Sequence, residues 1–138
     1  MRCLTEYKVI EIINDRICTI EFWDNGIIFY RLEDHVTVEL EDSMRQFEYL
    51  KSKFDGVNKM CVLVESGRYT DVSKEAREFS SRPETNSMTL ASAVIVKSLA
   101  HRIIINFLIN FTRQQNMKMR MFDDKEKAIE WLLSLKRS

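Results

Sequence analysis

The chain has 138 residues, 45% hydrophobic and 30% charged, with only three glycines and one proline. This is the size and usage of one globular domain, able to bury roughly two-thirds of its unfolded surface, and it leaves little material for linkers or disordered tails. Lysine plus arginine balances aspartate plus glutamate at 21 each, so no global field attracts nucleic acid or an anionic membrane, and such binding would need a local patch.

The first ten residues, MRCLTEYKVI, lack the charged-then-apolar architecture of a secretory signal. Cys3, Cys18 and Cys61 are odd in number, widely separated and without a CxxC pair. They read as reduced thiols packed as small hydrophobes, which points to a cytoplasmic protein. Asn110-Phe111-Thr112 matches a glycosylation sequon but falls in a helical pattern, and it is discounted.

Tyr7 to Ile13 has the composition of a strand. Arg16 to Trp23 and Ile27 to Leu32 flank Asp24-Asn25-Gly26, where Asn-Gly supplies the positive φ angles of a tight hairpin. Val36, Val38 and Leu40 alternate with polar residues as a short strand running into a helix over about Glu41 to Phe54. That helix places Leu40, Met44, Phe47, Leu50 and Phe54 on one face, and Asp55-Gly56 ends it. Met60 to Glu65 is a nearly continuous apolar run, as a strand covered on both faces requires.

A polar loop over 66–72 leads to a helix with Ser73 as N-cap and Glu75 in its first turn. Ser80 to Leu90, with Pro83 inside it, reads as an irregular connection, and Ala93 to Lys97 as a second buried strand. Leu99 to Phe111 is a helix, and Met117 to Phe122 a last strand whose methionines oppose Lys118 and Arg120. Asp123 and Glu126 have the spacing of a capping box for a closing helix with Ile129, Leu132, Leu133 and Leu135 as its core face. Alternating strands and helices predict parallel pairing with right-handed crossovers. With the leading hairpin, the expected fold is α/β, a mixed sheet with an N-terminal antiparallel hairpin, parallel strands and about four helices.

The catalytic inventory is thin. His35 and His101 are the only histidines, and neither has a metal-ligand partner at the required spacing; His101, beside Arg102, reads as solvated surface or partial core. Glycine-rich phosphate loops, nucleophile elbows and zinc motifs are absent, so no metal, cofactor or enzymatic activity is expected. The aromatic hairpin (Phe22, Trp23, Phe29, Tyr30) is ringed by Glu21, Asp24, Glu33 and Asp34, which opposes nucleic acid.

Two features rise above this background. The junction from Glu65 to Arg77 follows a buried parallel strand and so lies at the carboxyl edge of the sheet, where open α/β folds hold ligands. There Arg68, Asp71, Ser73 and Arg77 form an edge for a partner, with Ser73 either a plain cap or a phosphate acceptor at a helix N-terminus; an enzymatic cluster of Glu65, Asp71 and Ser73 is the weakest reading. The second feature is the helix from Leu99 to Phe111, whose apolar residues, Ile103, Phe107, Leu108 and Phe111 among them, cover more than the stripe one sheet face needs. Either neighbouring helices of the same chain cover the surplus, or another subunit, a lipid-like ligand or a membrane surface does. No apolar run is long enough to span a membrane.

The segments FWDNGIIFYRL, VTVELEDSMRQFEYL, VLVESGRYTDVSKEAREF, AVIVKSLAHRIIINFLINF and MKMRMFDDKEKAIEWL together resemble the STAS-like, SpoIIAA-like domains, in particular the small stand-alone bacterial STAS/SEC14-like group. The resemblance covers nearly the whole chain after about residue 16. It implies a non-catalytic regulatory or protein-interaction domain, in which a serine at the N-terminus of the helix after the central strand is phosphorylated; Ser73 matches that position, although Lys74-Glu75-Ala76 follows where the family carries Gly-Leu-Gly. The SEC14-like side of the resemblance implies instead an apolar ligand. The expected partners are therefore a protein, with a homodimer included, or an apolar molecule, and no nucleic acid.

Overall fold

A computed structural model of the chain describes residues 6–112 and 117–136. Three N-terminal strands, β1 (Val9–Asn14), β2 (Cys18–Trp23) and β3 (Ile27–Leu32), form an antiparallel meander. The β2–β3 turn depends on Gly26 at φ +88°, a left-handed conformation that side chains disfavour, while the Asn25 carboxamide accepts the Ile27 N–H at 3.0 Å. Three parallel strands then extend the sheet from β3: β5 (Met60–Glu65), β7 (Thr89–Ile95) and β8 (Lys118–Phe122), giving the order β1-β2-β3-β5-β7-β8. The mixed α/β architecture with an N-terminal hairpin is the one its sequence pattern predicts.

The connections between the parallel strands are α1 (Leu40–Lys53), α2 (Lys74–Ser80) with α3 (Pro83–Asn86), and α4 (Leu99–Thr112). Leu50, Ala76, Ile104, Ile105 and Leu108 from these connections pack with Ile20, Ile28, Tyr30, Val62 and Val94 on one sheet face. The opposite face is covered by α5 (Lys125–Lys136), whose Ala128, Ile129 and Leu132 seat on Phe29, Cys61, Leu63, Ala91 and Ala93. Small side chains at Cys61, Ala91 and Ala93 let the helix come close, so one helix suffices to seal that face. A second, two-stranded sheet joins β4 (Thr37–Val38) to β6 (Asp71–Val72) in parallel beyond the carboxyl ends of the main strands.

Several boundaries differ from expectation. There are five helices among the described residues: the stretch 80–90 contains the single turn α3, with Pro83 at its start, where a proline costs no hydrogen bond. Strand β7 begins at Thr89, four residues before the apolar run that announces it; Thr89 and Ser92 are buried, so two hydroxyls break the hydrophobic signal. Met44 projects into solvent at 49% exposure instead of joining the core face of α1. The cap of α5 is Asp124 rather than Asp123, its carboxylate accepting the Glu126 N–H at 2.9 Å.

Candidate functional site

At the carboxyl edge the loop 66–70 is knotted to the loop 33–35 by its own polar groups. The Ser66 hydroxyl donates to the Ile95 carbonyl at 2.8 Å and accepts the Lys97 N–H at 3.2 Å. The Thr70 hydroxyl donates to the Gly67 carbonyl at 3.1 Å, and the Arg68 N–H donates to Asp34 at 2.7 Å. Ser66 and Thr70 are each 1% exposed, and buried polar side chains this fully paired fix a backbone rather than await a ligand. His35 and Tyr69 sit at positive φ, 57° and 60°, with their rings 5.0 Å apart; the paired loops hold both in a conformation that non-glycine residues disfavour.

The predicted partner edge falls on this knot. The Ser73 hydroxyl accepts the Ala76 N–H at 3.1 Å, capping α2, and Asp71 accepts the N–H of Val72 at 2.9 Å. Glu65 is paired with Arg31 at 3.2 Å. Arg68 is exposed, whereas the Nε of Arg77 is buried without a hydrogen-bond partner.

An apolar concavity lies between the sheet and the helices of the three-helix face. It has a volume of about 230 Å³. Tyr30, Val62, Val64, Ser92, Val94 and Met119 form its floor, Phe47 and Leu50 of α1 one wall, and His101, Ile105 and Leu108 of α4 another. Phe79, Ser80, Thr85 and Asn86 close it from the α2–α3 turn. These last residues are half-buried, and Thr85 and Asn86 are tied back onto α2 by hydrogen bonds to the carbonyls of Phe79 (2.7 Å) and Ser80 (3.0 Å). The Phe47 and Phe79 rings meet edge to face at 5.8 Å, bracing α1 against α2.

His101 is the singular polar group on that wall. It is 3% exposed, its Nδ1 is buried without a hydrogen-bond partner, and burial pushes its pKa down to about 4 against a smaller opposing pull from Asp71. It is therefore a neutral imidazole at physiological pH, one donor and one acceptor among aliphatic side chains. The expectation of solvated surface or partial core is corrected: His101 is fully in the core. Ser98 caps the first turn of α4, its hydroxyl accepting the His101 backbone N–H at 3.1 Å.

Of the apolar helix residues singled out from sequence, Leu108 lines the cavity at 6% exposure, while Ile103 and Phe107 face outward at 63% and 48%. The Phe111 side chain lies outside the described residues. The sequence pattern thus merged two surfaces that the structure separates, and the floor residues went unnoticed because a strand buried on both faces looks the same with or without a void beside it. Among the described residues no three His, Cys, Asp or Glu side chains group as a metal site, and no helix is long and apolar enough to cross a membrane.

The model of a domain of unknown function, DUF7793, matches residues 21–136. No curated protein matches the chain. Among solved structures, an uncharacterized protein of the DUF3478 family with a SpoIIAA-like fold, from Shewanella loihica PV-4, is similar at TM-score 0.58 and 13% identity, over 92% of this chain and 95% of that one. The fold is accordingly SpoIIAA-like.

Proposed function

The chain belongs to the DUF7793 family, and on that footing we propose that it is a non-catalytic binding domain that holds a small apolar ligand beneath α4. The cavity carries this reading: about 230 Å³ of space, lined mainly by aliphatic and aromatic side chains with several Ser, Thr, Asn and Gln side chains among them, beside one buried neutral histidine. Its size falls between the ~150 Å³ that admits benzene and the ~300 Å³ at which drug-sized pockets begin. A single ring system or a short acyl chain fits that range, and the unpartnered Nδ1 of His101 favours a ligand with one hydrogen-bonding group. Regulation through a protein partner at the Arg68 to Arg77 edge draws less support, since Ser73 is engaged as a cap and the loop before it is internally paired. The buried free thiols of Cys18 and Cys61 suit a reducing compartment such as the cytoplasm.

Organic extraction of the purified chain followed by mass spectrometry, together with titration of the fluorescent apolar probe N-phenyl-1-naphthylamine, tests the proposal. Saturable probe binding is expected, abolished by Val62→Phe, which fills the cavity floor, and retained by Leu99→Ser outside it. Circular dichroism and a urea midpoint confirm that Val62→Phe is folded. Absence of both extractable ligand and saturable probe binding would overturn the reading, as would probe binding that survives in folded Val62→Phe.

A further inference from the structure

We infer that the outer face of α4 docks the protein on an anionic bilayer surface. The chain is neutral overall, with 21 cations and 21 acids, but its charge is segregated. Between Glu84 and Asp123 there is no acidic residue, while Lys97, Arg102, Arg113, Lys118 and Arg120 contribute five positive charges. That leaves 16 cations against 21 acids in the remainder. The cationic stretch contains α4 and the edge strand β8, which pack together.

On α4, Leu99 and Ile103 are exposed at 74% and 63%, with Phe107 following at 48%. Spacing of four residues puts the three on one line along the helix. This line is distinct from the inner face, where Ile104, Ile105 and Leu108 are buried. The helix thus has two apolar faces, and the sheet uses one.

The cations border the outer line. Lys97 immediately precedes the helix and Arg102 lies between Leu99 and Ile103, both exposed. Arg102 and Arg120 share a cleft with Lys127, where the acids are Asp123 and Glu130, so even the cleft that holds acids keeps an excess of positive charge. Lys97, Arg102 and Lys118 form no ion pair among the described residues.

An apolar line flanked by unneutralised cations is the arrangement of a helix lying in the headgroup region, apolar side chains sunk into the acyl boundary and cations against anionic lipid. Charge decides against the other occupants. A second copy docked on this face across a two-fold axis would bring two copies of the same cationic stretch together, with no acid within either stretch to relieve them. A polynucleotide would satisfy the cations but leave the apolar line in water. Since no helix among the described residues can cross a membrane, the contact is with the surface.

The test is co-sedimentation of the full chain with vesicles of phosphatidylcholine alone and of phosphatidylcholine with one-quarter phosphatidylglycerol. Binding to the anionic vesicles is expected, with little to the neutral ones, and it should weaken at 0.5 M NaCl. Arg102→Gln should lower partitioning about fivefold, the worth of one basic side chain at an anionic surface, and Ile103→Asp should abolish it. Both positions are exposed, so the urea midpoint and N-phenyl-1-naphthylamine binding should stay unchanged, which keeps this test separate from that of the cavity. The inference is overturned if the protein ignores anionic vesicles, if it binds neutral vesicles equally, or if light scattering finds a dimer that Ile103→Asp dissolves.

Discussion

Asp42 lies in the first turn of α1 at 1% exposure and accepts from three directions. The Arg16 Nε reaches it at 2.9 Å, the Arg45 Nη2 at 2.6 Å and the Glu39 backbone N–H at 3.0 Å. Arg45 also bridges to Asp15 at 3.0 Å, tying the β1–β2 turn to α1. The Arg16 hydrogen bond, with those of Arg45 and Glu39, outweighs burial and holds the Asp42 carboxyl well below its usual range. For Asp15 burial is the largest influence and acts upward, yet the hydrogen bonds from Arg45, Gln46 and Ile17 together leave it lowered. Asp42→Ala should cost about 2–3 kcal/mol in urea unfolding, less than a wholly buried pair because both arginines remain partly in water. His101 acts in a different pH window. Its folded pKa of about 4 lies below the unfolded value near 6.5, so the unfolded chain takes up the proton first and stability falls on acidification between those values. Unfolding free energy should drop by about 2 kcal/mol from pH 7 to pH 5, and His101→Leu should flatten that slope. The lowered carboxylates of Asp15 and Asp42 contribute stability that is lost only further down, below about pH 4.

Elements show where pattern was enough and where it was not. The hairpin at Asn25-Gly26, strand β5 and the Ser73 cap of α2 were legible because each is set by local chemistry: a positive φ, an apolar run, a hydroxyl facing a free N–H. The start of β7 was not, because buried Thr89 and Ser92 are polar by type and apolar by environment. The stretch around Gly67 likewise reads as an ordinary polar loop, yet a Cβ there would meet the Glu33 carbonyl oxygen at 2.3 Å. Gly67→Ala should therefore push the two loops apart and cost about 1–3 kcal/mol, with faster amide exchange at Arg68 and His35, whose N–H groups close the knot. An unchanged urea midpoint would show that the knot yields at no cost.

For the whole molecule, the division of labour between sheet faces matters most. Three connections cover one face and leave a cavity, while α5 alone seals the other. Leu132 of α5 and Ile20 of β2 are both fully buried on opposite sides of the sheet. If the chain is one cooperative domain, Leu132→Ala and Ile20→Ala should each cost about 2–5 kcal/mol and shift a single urea transition with an unchanged slope; a biphasic curve would contradict that. By itself the sequence determined the α/β class, the meander, the parallel strands and the over-apolar character of α4, all properties of periodicity and turn chemistry within a few residues. Only the tertiary structure decided that His101 is core, that Leu108 and Ile103 belong to different surfaces, and that a void lies above Val62. These depend on which elements meet across the sheet, and hydrophobic type along a chain carries no record of what stands opposite.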